Sequence, residues 1–401
     1  MTHLDSFFEN YLKKEPVFLN KKILQGNYVP LEIPYREKQI EQMASILAPA
    51  LRGEKPSNLF IYGKTGSGKT LCVKHTTEAM RSIAEKNNLQ LKVIYINCKL
   101  KKIADTEYRL IAQLAREFGE EVPATGLPTE EIYKTFMHAL DKEKQIIVII
   151  LDEIDQLVKK TGDEILYNLT RLSSELKESE VSVIGISNDL VFTDILDPRV
   201  KSSLSEEEVL FPPYNALQLQ KILNERAAAA FKENVLEEGV ISKCAAYAAR
   251  EHGDARRALE LLRVAGEVAE RKSENKITIA HIDMAEEKIE NDRVIESITT
   301  QPKQSQMVLY AVFSKALTRD KSPLFTGDIY ELYKEVCLKG GLRPLTQRRV
   351  SDIIAELDML GIITTRIISK GRYGRTREIC LGIPNSLIAK TNTLLKESLS
   401  A

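Results

Sequence analysis

Uninterrupted apolar runs mark candidate strands in the first half of the chain. They occur in SNLFIYG at 57–63, QIIVIIL at 145–151 and VSVIGIS at 181–187. Short apolar runs that end at glycine or polar residues are typical of strands buried on both faces of a parallel sheet. By contrast, LCVKHTTEAMRSIAEKN at 71–87 has its apolar residues at helical spacing. Strands that alternate with helices in this way predict an α/β fold.

The second half of the chain is patterned mainly as helices. Four helix-like segments lie within 215–297, and Asn215 and the Thr278 region are placed to begin two of them. The polar stretch SITTQPKQSQ then interrupts the pattern, and Pro302 within it favours a helix boundary. We therefore expect a domain border near residue 300.

A different pattern follows this border. QMVLYAVFSKAL, TGDIYELYKEVCLKGG and TQRRVSDIIAELDMLG predict three helices, and IITTRIISKGRYGRTREICLGI predicts two strands around a glycine-rich tip. Three helices followed by a β-wing predict a winged helix-turn-helix. The patterns together predict three domains, at 1–214, 215–297 and 300–395, which suits a chain of 401 residues.

The composition excludes several classes of protein. Hydrophobic residues make up 43% of the chain and charged residues 28%, as in ordinary soluble domains. The longest apolar run, at 146–151, is far shorter than the roughly 18 residues that a membrane-spanning helix needs. The N-terminus has no apolar leader, and the cysteines include no CxxC pair. We expect a cytoplasmic protein without a membrane partner, a disulfide framework or a zinc site.

Charge is distributed unevenly along the chain. The formal net charge is zero overall, but residues 301–401 carry a net +7 and residues 1–300 a net −7. Between 339 and 377, nine basic residues stand against three acidic ones, and they concentrate at the start of the third predicted helix and in the wing. A run of charge alone is usually a solvated face, but a basic helix beside a basic wing favours nucleic-acid binding. The candidate DNA-binding residues are Gln347, Arg348, Arg349, Lys370, Arg372, Tyr373, Arg375 and Arg377.

A phosphate-binding pattern follows the first candidate strand. GKTGSGKT at 63–70 matches GxxxxGK[ST] between a predicted strand and a predicted helix, which is the context that the pattern requires. Glycines let backbone N–H groups surround phosphates, and the helix N-terminus adds positive potential. We expect Lys69 to reach the β and γ phosphates of ATP or ADP and the Thr70 hydroxyl to bind Mg²⁺. The candidate nucleotide-binding residues of this loop are Gly63, Lys64, Thr65, Gly66, Ser67, Gly68, Lys69, Thr70 and Leu71.

Polar residues end the other two candidate strands. Asp152 and Glu153 follow the apolar run at 145–151, and Asn188 ends the run at 181–187. The carboxyl ends of parallel strands converge on bound ligands. We expect Asp152 to hold Mg²⁺ through water, Glu153 to activate the attacking water, and Asn188 to hold that water or contact the γ phosphate. Simple solvated acids and a capping asparagine are the alternatives.

The order of these motifs resembles that of the AAA+ ATPases. The phosphate loop, LDEID, SND and HGDARRALELL correspond to the Walker A, Walker B, sensor 1 and sensor 2 motifs of that class. Three further stretches resemble archaeal replication initiators related to the origin recognition complex and the cell-division-cycle loading factor, and the likeness spans almost the whole chain. They are YVPLEIPYRE at 28–37, LDPRVKSSLSEEEVLFPPYNALQLQKILNERA at 196–227 and GRYGRTREICL at 371–381.

This resemblance implies a fold and further site residues. The fold is an AAA+ P-loop core with a five-stranded parallel sheet, an all-α lid domain and a C-terminal winged helix-turn-helix. Arg256 is implied as the sensor 2 arginine, with Arg257 as the alternative. Ser203 stands where related motor subunits carry an arginine finger, so a finger acting on a neighbouring subunit is not expected, although Arg199 remains nearby. The implied base-side residues are Val29, Pro30, Arg36, Tyr214 and Arg226.

The resemblance also implies a function. The expected protein binds double-stranded origin DNA, uses ATP as a switch with slow hydrolysis, helps recruit the replicative helicase and gathers with other initiator copies on DNA, in the nucleoid. Two alternatives stay open on the residues alone. A branch-migration type of DNA motor also joins an AAA+ core to a winged helix, and a transcription regulator could use ATP only to gate DNA binding.

Overall fold

The computed structural model describes residues 15–26, 28–30, 32–99, 105–123, 126–318, 323–369 and 375–400. Its contacts divide the chain into two compact units, Met1–Ile282 and Asp283–Ala401. Among the described residues no helix is long and apolar enough to cross a membrane.

A five-stranded parallel sheet forms the centre of the first unit. Numbered along the chain, the strands pair in the order second, third, fourth, first and fifth. The third strand, which contains the apolar run from Ile146 to Leu151, is buried along its whole length between two neighbours. Helices cover both faces of the sheet, as the unbroken apolar runs predict. The strands are β1 (Leu59–Gly63), β2 (Leu91–Asn97), β3 (Ile146–Asp152), β4 (Glu180–Ser187) and β5 (Glu207–Phe211).

Helices alternate with these strands along the chain. The loop after β1 leads directly into the helix α2, so the phosphate-binding pattern lies between a strand and a helix as expected. The α-helices of this part are α1 (Glu37–Leu47), α2 (Lys69–Lys86), α3 (Glu107–Glu117), α4 (Thr129–Leu140), α5 (Ile154–Thr161), α6 (Glu164–Arg171) and α7 (Pro198–Leu204).

Three helices follow the last strand within the first unit. They are α8 (Ala216–Ala230), α9 (Val240–Arg250) and α10 (Ala255–Lys272). Asn215 starts α8 with a capping box: its side chain accepts from the Gln218 N–H, and the Gln218 side chain accepts in return from the Asn215 N–H. The next helix, α11 (Ile279–Thr299), begins one residue after Thr278.

Residues 17–19 near the N-terminus contact the segment at the end of α8. The Leu19 N–H donates to the Ala230 carbonyl at 2.8 Å, and the Lys232 N–H donates to the Val17 carbonyl at 3.1 Å. Phe18 stacks on Phe231 with ring centroids 4.8 Å apart. The sequence gives no local signal for this contact, because the pairing residues lie more than 200 positions apart.

The second unit has the predicted helices and wing strands. After α11, Pro302 is the N-cap of α12, which agrees with the predicted helix boundary. A three-stranded antiparallel sheet with the order β6-β8-β7 packs with the helices around one apolar core. The short β6 and the last helix were not predicted. The elements are α12 (Lys303–Leu317), β6 (Leu324–Phe325), α13 (Thr326–Lys339), α14 (Gln347–Met359), β7 (Ile363–Ser369), β8 (Arg375–Leu381) and α15 (Asn385–Ser400).

Candidate functional site

The loop between β1 and α2 depends on two glycines. Gly66 and Gly68 have φ angles of +71° and +94°, a region that side chains other than glycine rarely adopt. A Cβ atom at Gly66 would lie 1.7 Å from Asp254 Oδ1, at the start of α10. The Gly66 carbonyl also accepts a hydrogen bond from the Ala255 N–H at 3.2 Å. The loop is therefore in direct contact with the N-terminus of α10.

Lys69 is buried at the first position of α2. Its side-chain Nζ donates to the carbonyl oxygens of Gly63 at 2.8 Å and Lys64 at 2.9 Å, and the residue is 4% exposed. Burial lowers the pKa of Lys69 to about 8, although Asp152 opposes the shift. This pKa is still above neutral pH, so Lys69 carries its positive charge at pH 7. A buried ammonium group beside a glycine-rich loop is suited to bind phosphate.

Thr70 and Asp152, the two predicted metal residues, are in contact. The Thr70 hydroxyl donates to Asp152 Oδ2 at 2.8 Å, and Asp152 is 4% exposed at the end of β3. A hydroxyl and a carboxylate at this separation provide the oxygen ligands that Mg²⁺ prefers. The donor set therefore fits a magnesium ion.

Glu153 follows Asp152 in a left-handed conformation. Its φ of +57° and ψ of +45° are uncommon for a residue with a side chain and cost about 1–3 kcal/mol. The Glu153 N–H donates to Asp152 Oδ1 at 3.0 Å, and Lys99 Nζ lies 3.7 Å from Glu153 Oε2. Backbone strain of this kind is common at functional sites, where surrounding contacts maintain it.

Asn188 lies beside these groups, and a buried aspartate holds its backbone. Asp155 is 3% exposed, and its Oδ1 accepts from the Ser187 hydroxyl at 3.3 Å and from the Asn188 N–H at 3.4 Å. Asp155 thereby connects the start of α5 to the end of β4. Asp155 could not be predicted as a site residue, because LDEID contains three acids and the pattern does not tell which one is turned inward.

Two adjoining cavities lie over the loop. An apolar cavity of about 480 Å³ and a polar cavity of about 240 Å³ share Gly66, Gly68, Thr70, Lys74 and Arg256 among their lining residues. Besides the predicted residues that it shares with the apolar cavity, the polar cavity is lined by four more, namely Lys69, Asp152, Glu153 and Asn188. The apolar cavity brings together Val29, Pro30, Leu71, Tyr214 and Arg226.

Arg36 differs in position from the other predicted base-side residues. It is 2% exposed and does not line either cavity. Its guanidinium donates to the carbonyl oxygens of Ser67 at 2.8 Å and Pro212 at 2.6 Å and lies 3.9 Å from the centroid of the Tyr214 ring. Arg36 therefore stabilises the backbone of the phosphate loop, because its N–H groups donate to backbone carbonyls.

Other residues of the loop contribute backbone rather than side chains. Lys64 and Thr65 are exposed, and Ser67 is buried with its hydroxyl donating to the Lys64 carbonyl at 2.8 Å. The side chains of these three residues do not line the two cavities, and neither does Gly63. The sequence pattern places the loop between a strand and a helix, as the structure has it, but does not separate residues that line the cavities from residues that support the loop.

The two arginines at the start of α10 have different environments. Arg256 is exposed and lines both cavities. Arg257 is 3% exposed, and its Nε lies 3.2 Å from Glu251 Oε2. Asp254 caps the helix by accepting from the Arg256 N–H at 2.8 Å and the Arg257 N–H at 3.2 Å. The cap starts the helix at the phosphate loop, and successive helical positions then place Arg256 at the cavities and Arg257 in the interior.

Arg226 and Tyr28 are in contact at the wall of the apolar cavity. The Arg226 guanidinium carbon lies 4.5 Å from the centroid of the Tyr28 ring, and burial lowers the pKa of Arg226. Both residues line the cavity together with Val29 and Pro30. The N-terminal segment and α8 thus form one wall of the cavity together.

The predicted DNA-binding residues lie in the second unit. Gln347, Arg348 and Arg349 are exposed at the start of α14, where the Thr346 hydroxyl accepts from the Arg349 N–H at 3.4 Å. Arg349 Nη1 lies 3.4 Å from Glu356 Oε1 and 3.9 Å from Asp352 Oδ2. Arg348 is also exposed at the start of α14, and the ion pairs of the described residues do not join it to Glu356 or Asp352.

The candidate residues of the wing are described only in part. Lys370, Arg372 and Tyr373 lie outside the described residues, and for Arg375 only the backbone at the start of β8 is described. Arg377 Nη1 donates to the Ser351 carbonyl at 2.8 Å. This bond ties the wing strand to α14, so Arg377 has a structural contact that its position in a basic run did not predict.

Comparison with protein families covers most of the chain. The family described as "CDC6, C terminal winged helix domain" matches residues 296–391, and "Cdc6 AAA+ ATPase-type lid domain" matches residues 220–287. The family described as "AAA domain" matches residues 52–190. These matches and the five-stranded parallel sheet confirm the predicted fold class, with an AAA+ core, a helical lid and a C-terminal winged helix.

Known proteins resemble this chain over nearly its full length. The "ORC1-type DNA replication protein" of Pyrococcus abyssi is 54% identical over 95% of this chain and 91% of its own. The "ORC1-type DNA replication protein 1" of Methanosarcina acetivorans is 50% identical, with the same coverage. The solved structure of the Aeropyrum pernix ORC1 protein in complex with DNA is 44% identical, covers 95% of this chain and 98% of its own, and superposes with a TM-score of 0.83. The chain belongs to the ORC1-type family of DNA replication proteins.

Proposed function

We propose that this protein is a replication initiator that binds Mg²⁺-ATP in its first unit and double-stranded origin DNA through its winged helix. ATP acts as a switch, with slow hydrolysis, in a protein whose main task is binding. The observation that carries this proposal is the exposed basic start of α14, in a chain whose 44% identical relative was solved in complex with DNA. The proposed domains are a core at 1–214, a lid at 215–297 and a DNA-binding domain at 300–395.

The pair of cavities supports nucleotide binding. A nucleotide has an apolar base at one end and charged phosphates at the other, and the apolar and polar cavities adjoin over the phosphate loop. Val29, Pro30, Tyr214 and Arg226 would contact the base and ribose. Lys69 would exchange its two carbonyl acceptors for phosphate oxygens, and the N-terminus of α2 would add its positive potential.

The residues beside the phosphates fit a hydrolytic role. Thr70 and Asp152 would hold Mg²⁺, which supplies neutralisation of developing phosphate charge when it is bound. Glu153 would take a proton from the attacking water, and Asn188 would orient that water. Arg256 would contact the γ phosphate from the lid, so the nucleotide state and the position of α10 are coupled through one side chain.

The proposed DNA interface follows from charge and exposure. Gln347, Arg348 and Arg349 occupy the end of the recognition helix that meets base edges and phosphates in winged helix-turn-helix proteins. Wing residues Lys370, Arg372, Tyr373 and Arg375 remain candidates on sequence grounds. Contact with the replicative helicase, assembly with other initiator copies on DNA and a place in the nucleoid rest on the family alone and are part of the proposal.

Nuclease footprinting on sheared genomic DNA from the source organism, at a stated physiological salt concentration, tests this function. The wild type is compared with an Arg348→Ala, Arg349→Ala double variant. The matched control is Arg81→Ala, which removes an exposed arginine from α2 in the other unit. We expect a few discrete protected sites in one intergenic region, lost in the double variant and kept in the control.

Other footprints would contradict the initiator. Protection that prefers branched junctions would favour a DNA motor, and protection spread over many promoters would favour a transcription regulator. A double variant with an unchanged footprint would remove the start of α14 from the DNA interface.

A further inference from the structure

Asp152 has a hydrogen-bond donor that belongs to none of the motifs. The Tyr95 hydroxyl, at the end of β2, donates to Asp152 Oδ2 at 2.6 Å. The same oxygen accepts from the Thr70 hydroxyl at 2.8 Å, while Asp152 Oδ1 accepts from the Glu153 N–H at 3.0 Å. Asp152 is thus held by three donors, of which two come from its proposed partners in the site and one from a neighbouring strand.

The register of the sheet places Tyr95 there. Tyr95 pairs with Ile150 across β2 and β3, so Asp152 lies two residues farther along on the same face. Ile94 and Ile96 point to the opposite face and are buried in a core cluster. Tyr95 also lines the polar cavity, so its hydroxyl reaches Asp152 at the margin of the proposed phosphate site.

A cation lies over the face of the Tyr95 ring. Lys74 Nζ lies 4.0 Å from the ring centroid, within the range of a cation–π interaction. Lys74 projects from α2 and lines both the apolar and the polar cavity. A phenol hydroxyl lies close to the plane of its ring. The Lys74 contact, which favours one orientation of the Tyr95 ring, therefore also favours the direction in which the hydroxyl donates to Asp152.

We propose that Tyr95 is a positioning residue of the magnesium site, which sets the orientation of the Asp152 carboxylate. This inference rests on the proposed binding of Mg²⁺ and nucleotide. Mg²⁺ requires near-octahedral geometry and tolerates misplaced ligands poorly. Without Tyr95, no side chain would hold Oδ2 once the Thr70 oxygen turns to the ion, and the Glu153 N–H would hold the carboxylate by Oδ1 only. The Tyr95 hydroxyl would stay bonded to Oδ2 when the ion binds, so the carboxylate would keep one orientation toward the cavity.

Tyr95→Phe tests this role because it removes one hydroxyl group and keeps the ring beside Lys74. The affinity for a fluorescent ATP analogue is measured as a function of free Mg²⁺ and, separately, in EDTA. We expect the Mg²⁺ concentration that gives half of the maximal gain in affinity to rise about tenfold, the lower end of the range for partners of metal ligands. The affinity in EDTA is expected to change less than twofold.

Tyr133→Phe is the matched control. The Tyr133 hydroxyl donates to Glu107 Oε1 at 2.8 Å, so the substitution breaks the same kind of bond, in the same unit, away from both cavities. We expect its Mg²⁺ dependence to equal that of the wild type. Thermal unfolding in EDTA measures what each lost hydrogen bond contributes to stability, separately from its effect on Mg²⁺.

The outcomes separate this inference from the proposed function. If Asp152→Asn abolishes the Mg²⁺ dependence and Tyr95→Phe matches the wild type, Tyr95 is not a positioning residue and the nucleotide site stands. If Tyr95→Phe weakens binding equally with and without Mg²⁺, its role is structural and the inference is overturned. If the wild type itself binds no nucleotide or shows no Mg²⁺ dependence, the proposed function fails first.

Discussion

The proposed nucleotide site and the proposed DNA interface are built in opposite ways. In the first unit Lys69, Asp152 and Asp155 are each less than 5% exposed, and the polar groups of the site bond to one another. At the start of α14, Gln347, Arg348 and Arg349 are all exposed. A buried network functions only as a whole, because each lost partner leaves another polar group unpaired. Exposed charges act separately, and each adds its own increment to binding.

Glu153→Gln is expected to have the largest effect. Glutamine keeps the shape of the side chain but cannot accept a proton, so the rate of ATP hydrolysis should fall by about 10²–10⁴-fold while ATP affinity is retained. Single-turnover hydrolysis and equilibrium binding are measured on the same sample. Glu130→Gln, an exposed change at the start of α4, is the control. An unchanged rate for Glu153→Gln would exclude Glu153 as the base.

Lys69→Met is expected to weaken ATP binding by about 100-fold, because a buried charge-assisted contact with phosphate is lost. Equilibrium binding of ATP to the variant and to the wild type measures the loss.

The affinity of the wild type for ATP should also depend on pH. Since burial lowers the pKa of Lys69 to about 8, the ammonium is present below that pH and is progressively lost above it. ATP contacts the charged form, so affinity should be constant below about pH 7 and decline as pH rises through 8.

The same titration on Lys69→Met supplies the control for this pH dependence. The variant has no titrating group at position 69, so its weak residual affinity should stay level between pH 7 and 9. A decline equal to that of the wild type would assign the pH effect to another group.

Arg348→Ala and Arg349→Ala should each weaken DNA binding, and by different amounts. For Arg348→Ala we expect a loss of about tenfold and a salt slope smaller by about one. Arg349 lies near Glu356 and Asp352, which offset part of its charge, so its loss should be smaller. Fluorescence anisotropy on one duplex at several salt concentrations measures both. An effect of Arg349→Ala equal to or larger than that of Arg348→Ala would contradict this ranking.

Thr346→Ala should have the smallest effect. It removes the side-chain cap of α14, which costs about 1 kcal/mol of stability in a typical helix. The acceptor distance of 3.4 Å places the expected cost at the lower end of the range. Chemical denaturation followed by circular dichroism measures the free energy of unfolding. Thr346→Ser keeps the hydroxyl and should therefore be as stable as the wild type. A Ser variant as unstable as the Ala variant would exclude the cap as the cause.

The same contrast explains what could be predicted from the sequence. The phosphate loop, Asp152, Glu153 and Asn188 lie on adjacent strands whose apolar runs and polar ends are local signals, so their convergence could be expected before the structure. The winged helix was predicted for the same reason, since its helices and wing strands are each patterned locally. In the second unit the order of elements was sufficient to predict the winged helix. In the first unit the pattern predicted three of the five strands, and the five-stranded core was implied by the family resemblance, because β2 and β5 were not recognised from their apolar residues.

Contacts between residues distant in sequence could not be predicted. Tyr95 reaches Asp152 only because β2 pairs with β3 in one particular register, and Arg36 supports the phosphate loop from a segment 31 residues earlier.

The contact of Val17 and Phe18 with the helical part of the first unit has no periodic pattern in the sequence that could have predicted it. Arg256 and Arg257 are adjacent in sequence, and the sequence alone does not tell that Arg256 lines the cavity whereas Arg257 is buried beside Glu251.

The most direct test of this account is a double-mutant cycle on Thr70→Ala and Asp152→Asn, read out as Mg²⁺-dependent affinity for ATP. The two residues are in contact and are proposed to serve one ion, so the combined loss should be close to the larger single loss, with a coupling of at least about 1 kcal/mol. The cycle on Arg348→Ala and Arg349→Ala, read out as DNA affinity, supplies the additive reference. Losses from Thr70→Ala and Asp152→Asn that add within about 0.5 kcal/mol would contradict the proposal that the two residues form one magnesium site.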